Sequence, residues 1–189
     1  GAGSSGPSNS IGNFIEYINI ATAGDNAADF GDLSVSRNYA AGGGSLTRAI
    51  NFGGHNPSLL NTIDSIEFSS LGNYADFGDT SVTRAYLAGG IGSTTRACFG
   101  GGATPSKSDV IDYITIATAG NATDFGDLAA ATADAPGGLS SNTRGVIAGG
   151  AEPNDDSAEE MVYITIASAG NTSTFGDLVV GRSYIKGVA

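Results

Sequence analysis

The sequence predicts an all-β chain built from four similar units, and three observations predict it. An FGD element recurs: Phe30, Phe77, Phe125 and Phe175 each precede Gly-Asp, at spacings of 47, 48 and 50 residues. The arginines keep step with it. Seven residues after each Phe stand Arg37, Arg84, Thr132 and Arg182, and 11 or 12 residues further on stand Arg48, Arg96 and Arg144, so all six arginines occupy two positions of the period. Finally, each period holds four short apolar segments separated by Gly-, Ser-, Pro- and Asn-rich connectors, and no stretch carries a sustained helical period. A period of roughly 40 to 50 residues with four antiparallel strands describes the blade of a β-propeller. The expected fold is a β-propeller of four repeats of about 48 residues, with four antiparallel strands per blade.

In the unit beginning at Arg84, strand A is expected over 84–90 (RAYLAGG) and strand B over 95–102 (TRACFGGG). Strand C is expected over 110–118 (VIDYITIAT) and strand D over 123–131 (TDFGDLAAA). Strand C alternates. Tyr113 and Thr115 point one way, Ile114 and Ile116 the other, as do Ile18/Ile20, Ile66/Phe68 and Ile164/Ile166 in the other units. The units run 37–83, 84–131 and 132–181. The last blade is shared by 182–189, as its strand A, and 1–36, as its strands C and D. Such sharing closes a ring and protects the sheet edges. The segment GAGSSGPSNS lacks the apolar residues of a strand B, so three arrangements follow: a four-bladed ring that closes with one thin blade, which is the favoured one, four units of a longer array, or an arc completed by other subunits.

These units resemble the Kelch repeat. An arginine opens strand A, a Gly-Gly doublet closes strand B (Gly53-Gly54, Gly100-Gly101, Gly149-Gly150), and a YI-I strand follows, although strand D carries Phe-Gly-Asp where Kelch units usually carry Trp. The YITIAT-GN--DFGDL---R consensus also resembles repeats of bacteriophage virion and tail proteins. That resemblance implies a non-enzymatic virion component that binds other virion or assembly proteins, copies of itself, or a host-surface glycan. The virion is then the expected location. The alternative is a secreted or cell-surface carbohydrate-binding or carbohydrate-active propeller, and a third reading is a Kelch-like protein scaffold.

The 189 residues suffice for one domain. A net charge of −11 repels nucleic acid and acidic membranes, so neither partner is expected. The apolar runs fall far short of the ~20 residues of a membrane helix, and no membrane insertion is expected. The chain begins at Gly1 without a methionine, which suggests a processed, trimmed or partial chain.

DFG is the metal-binding triplet of protein kinases, but here its companion motifs are missing and the element occurs once per unit. A structural corner is needed that often. The phenylalanines are expected to pack between units and the glycines to supply a turn or bulge. Asp32, Asp79, Asp127 and Asp177 are expected to accept hydrogen bonds from turn amides or from the repeated arginines. Cys98 aligns with Ile50 and Val146 and reads as a buried small hydrophobe. His55 is the one histidine, in a Gly-His-Asn-Pro turn, so neither a Ser-His-Asp set nor two-His metal spacing can be assembled. The loop 151–160 (AEPNDDSAEE) is acidic, with Asn154, Asp155, Asp156, Glu159 and Glu160. It reads as a solvated loop before it reads as a calcium site, because the EF-hand pattern is absent. No catalytic residue, cofactor or metal is expected, and no binding residue stands out. The point of broken symmetry is TADAPGG, 132–138, where Thr132 replaces Arg and Asp134 replaces Tyr.

Overall fold

The computed structural model describes residues 4–5, 10–134, 136–151 and 157–185, with the backbone alone at residues 4, 5 and 10. All regular structure among them is β. Three four-stranded antiparallel meanders follow one another. The first joins β5 (Ala41–Gly44), β6 (Arg48–Phe52), β7 (Thr62–Glu67) and β8 (Ala75–Asp79). The second joins β9 (Ala88–Gly92), β10 (Arg96–Gly100), β11 (Ser108–Thr115) and β12 (Thr123–Thr132). The third joins β13 (Gly137–Ser140), β14 (Arg144–Ala148), β15 (Glu160–Thr165) and β16 (Ser173–Asp177). Before them lie a two-stranded sheet of β3 (Phe14–Tyr17) and β4 (Ala28–Asp32), and a short pair of β1 (Ser4–Ser5) and β2 (Ser10–Ile11). The inner strand β9 sits between β5 and β13.

The FGD element is a bulge. Ile111 pairs with Gly126 and Asp112 with Asp124, which leaves Phe125 as the extra residue, and the same slip occurs at Phe30, Phe77 and Phe175. The glycine that follows holds φ between +140° and +151° in all four copies, a region that a side chain strains. The bulge turns the phenylalanine toward the next unit. Phe77 packs with Ile114 and Ile116, and Phe125 with Ile164 and Ile166, two isoleucines in β11 and β15 of the following unit and two just past the ends of those strands. Phe30 joins Ile66 and Tyr74 in the same way. Phe175 is the exception: it is 50% exposed, as are Ile18 and Ile20 at 60% and 93%.

One junction is therefore built three times. A Cβ at Gly126 would stand 2.5 Å from the Gly170 carbonyl, and Gly31 and Gly78 face Gly72 and Gly120 as closely. The backbone amides of Asp32, Asp79 and Asp127 donate to the side-chain oxygens of Asn73, Asn121 and Asn171. Arg48 and Arg96 donate to the carbonyls of Ile116 and Ile166 across the same boundary.

Three expectations need correction. Strand A does not begin at Arg84: β9 starts at Ala88, because Tyr86 holds φ +60° and breaks the extended run. The second glycine doublet is Gly101-Gly102 rather than Gly100-Gly101, since those two take the left-handed conformations that Gly53-Gly54 and Gly149-Gly150 take. At the C-terminus residues 182–185 enter no strand, and 186–189, the rest of the expected strand A, lie outside the described residues.

Candidate functional site

The residue two places after each repeat arginine position is Tyr39, Tyr86, Asp134 and Tyr184. All four are left-handed, at φ 55°, 60°, 58° and 54°, and they are the only non-glycine residues with positive φ among those described. Each costs on the order of 1–3 kcal/mol and persists because neighbouring structure imposes it. Here the backbone supplies the constraint: the Tyr86 amide donates to the Tyr39 carbonyl at 2.9 Å, and the Tyr184 amide to the Asp134 carbonyl at 2.7 Å.

The four side chains meet. The Tyr39 and Tyr86 rings stack at 4.2 Å between centroids, with 25° between their planes. The Tyr184 hydroxyl donates to Asp134 Oδ1 at 3.2 Å. Partial burial, then the neighbouring Tyr39, Tyr184 and Asp134, push the Tyr86 phenol above its ordinary pKa. Tyr184 shifts upward for the same reasons, burial first and Asp134 next. Both phenols therefore stay neutral at ordinary pH. Tyr39 and Tyr184 remain largely exposed, while Tyr86 and Asp134 are half-buried. Residues that follow the cluster closely in sequence, Ala40, Ala41, Leu87, Pro136 and Ile185, line a cavity of about 160 Å³ that all four units share. A wider, open depression of about 730 Å³ lies among the connectors Ser45–Leu46, Ser93–Thr94 and Ser141–Asn142.

The arginines form two kinds of contact. Arg37 and Asp64 are fully buried and joined at 2.5 Å, and Arg84 and Asp112 are fully buried and joined at 2.6 Å. Each guanidinium also caps the carbonyl of the glycine doublet, Gly53 or Gly101, and ties it to strand C. Arg48 pairs with Glu67, while Arg96 and Arg144 lie 4.4 and 4.5 Å over the rings of Tyr113 and Tyr163. The carboxylate partners Asp64, Glu67 and Asp112 thus lie on β7 and β11 and are not the FGD aspartates, because the bulge turns the FGD backbone toward the asparagine of the next unit.

Cys98 is 1% exposed, and burial pushes its thiol up to about 12, as a buried hydrophobe requires. His55 pairs through its backbone with Asn38. Residues 152–156 of the acidic loop, with Asn154, Asp155 and Asp156, lie outside the described residues; among those described, no group of three His, Cys, Asp or Glu side chains is placed to hold a metal. No described helix is long and apolar enough to cross a membrane.

In the sequence Asp134 stands out as a break in the pattern, while Tyr86 and Tyr184 fall within the expected strand A segments. The repeated Tyr/Tyr/Asp/Tyr position was the available signal, and the left-handed backbone that gathers it was not legible. No family model matches the chain, and no curated protein matches it.

Proposed function

We propose that the chain is a non-enzymatic β-propeller of Kelch-like blades that acts as an assembly and binding component of a virion. The observation that carries this reading is the repeated junction with an unsatisfied copy at each end. Phe175, Val179 and Val180 are exposed on the last unit, and Phe14, Tyr17, Ile18 and Ile20 are exposed on the first strands. Those are the two halves of the contact made internally by Phe77 with Ile114 and Ile116, and by Phe125 with Ile164 and Ile166. Exposed apolar sets of this kind mark interaction surfaces. The two halves fit each other, so the favoured partner is another copy of this chain, or a subunit with the same repeat. The resemblance of the consensus to phage virion repeats favours the particle as the setting, and the net charge of −11 disfavours nucleic acid.

Sedimentation over a range of concentrations tests this. Association that grows with concentration and is weakened by Ile20→Asp is the expected result. A monomer destabilised by Ile20→Asp means that the ring closes within one chain, with the propeller kept and the self-assembly lost. A monomer indifferent to Ile20→Asp overturns the reading.

A second reading rests on the tyrosines Tyr39 and Tyr184 at the exposed rim: a carbohydrate-binding propeller, secreted or on a cell surface. Binding to a glycan array that is lost in Tyr184→Ala is the outcome that would favour it.

A further inference from the structure

We propose that Tyr39, Tyr86, Asp134 and Tyr184 form a binding site for an organic ammonium group. The inference goes beyond assembly and does not depend on it, since all four residues belong to one chain.

A neutral sugar needs an aromatic platform and several hydrogen-bonding partners. A cation needs π faces and a carboxylate that is incompletely neutralised. The cluster supplies three phenol rings: Tyr39 and Tyr86 cover one face of each other, Tyr39 and Tyr184 are largely exposed, and an uncovered ring face attracts a cation within about 6 Å of its centroid. It supplies one carboxylate, Asp134, whose described partner is the neutral Tyr184 hydroxyl at 3.2 Å. Of the four units, the one that departs from tyrosine departs to a negative charge. A propeller mouth built for stacking alone has no use for that change, whereas a quaternary or alkylated ammonium is met by rings on its methyl groups and by charge on one side. The field of the whole molecule acts in the same direction, because a net charge of −11 concentrates cations at its surface. Lys107 lines the neighbouring cavity of about 440 Å³ with Asp134 and is itself engaged within the chain, and the largely exposed Tyr39 and Tyr184 form the open side of the cluster.

The rings are held before any ligand arrives. The Tyr39–Tyr86 stack and the two inter-unit backbone bonds fix their positions, so a ligand does not have to order them.

The test uses the intact chain with choline as the probe, followed by tyrosine ring resonances and calorimetry. Its neutral isostere 3,3-dimethylbutan-1-ol and glucose serve as comparators. The expected result is saturable choline binding that shifts Tyr39, Tyr86 and Tyr184, with the isostere at least tenfold weaker and glucose silent. Asp134→Tyr restores the residue of the other units, so it preserves folding while removing the charge. It should weaken choline at least tenfold, and Asp134→Asn should do the same. Absence of choline binding at roughly 10 mM, the weak end expected for exposed cation–π contacts, overturns the proposal. Equal binding of the isostere, or unchanged binding in Asp134→Tyr, overturns it as well, and glucose binding in place of choline transfers the site to the carbohydrate reading. Sedimentation reads assembly separately, so either conclusion can fail while the other stands.

Discussion

At the scale of single residues the buried ion pairs show what the repeat protects. Arg84 and Asp112 have no solvent access, and among the described residues Arg84 Nε and Asp112 Oδ1 find no partner, whereas in the first unit Ser34 donates to both oxygens of Asp64. In the third unit both members are gone: Thr132 stands for the arginine and Val162 for the aspartate. A lone buried charge is far worse than an apolar pair, which explains why the two disappear together. Asp112→Val should therefore cost about 3–5 kcal/mol, and adding Arg84→Thr should recover most of it. Denaturant unfolding of the two single variants and the double variant checks this; additive losses would mean that the pair is not coupled. A pH effect belongs to the same scale. Burial raises the Cys98 thiol to about 12, and burial above all raises Tyr74 to about 12. Both acids are raised, so the folded chain keeps protons that the unfolded chain releases above its ordinary values of about 8.5 and 10. Their contribution to stability is complete below that range and is lost as pH climbs toward 12. A melting temperature that stays flat between pH 8 and 11 would contradict it.

At the scale of elements, the FGD bulge separates two roles of one glycine. Gly126 and Gly176 have nearly the same backbone, φ +140° and +151°, so a side chain strains both alike. They differ in what a Cβ meets. At Gly126 it runs into the Gly170 backbone at 2.5 Å, and at Gly176 it meets only the end of Met161 at 3.6 Å. Gly126→Ala should lower stability more than Gly176→Ala, with the difference measuring the junction alone. Equal losses would mean that Gly176 also faces a neighbour in solution, either a second copy or the chain's own N-terminal strands. Much of this was legible in advance: the period located the four bulges, and the alternation of Ile114 and Ile116 against Tyr113 and Thr115 located the buried face. Pairing was less legible. FGD aspartates looked like arginine partners because they share the period, but Asp64 and Asp112 share it too, and only the fold tells which set lies beside the guanidinium. The start of strand A was missed because a tyrosine at φ +60° leaves no mark in a sequence, tyrosine being an ordinary strand residue.

At the scale of the whole molecule, the ends of the chain complete the same pattern. Aligned through the strand C motif, Glu16 occupies the position of Asp64 and Asp112, and pairs with Asp29 as Asp64 pairs with Asp76. Arg182 occupies the position of Arg37 and Arg84. One chain thus carries the acid of a fourth pair near its beginning and the base near its end, and in the single chain both side chains are exposed. If a unit is completed by joining these ends, Glu16 and Arg182 become buried together as their counterparts are, and the exposed Ile18, Ile20 and Phe175 are covered in the same step. Glu16→Arg should then block the joining, through a like charge brought beside Arg182, and Arg182→Glu in the same chain should restore it. Removing 182–189 should abolish it and leave a sheet edge open to aggregation. Where the joining happens is decided by mixing. Glu16→Arg chains and Arg182→Glu chains, each deficient alone, should associate with one another if copies complete each other, because every interface between unlike chains then pairs opposite charges. If each chain closes on itself, mixing rescues nothing, and only the double variant regains the parent's melting temperature. A double variant no better than either single one would show that the two charges never meet.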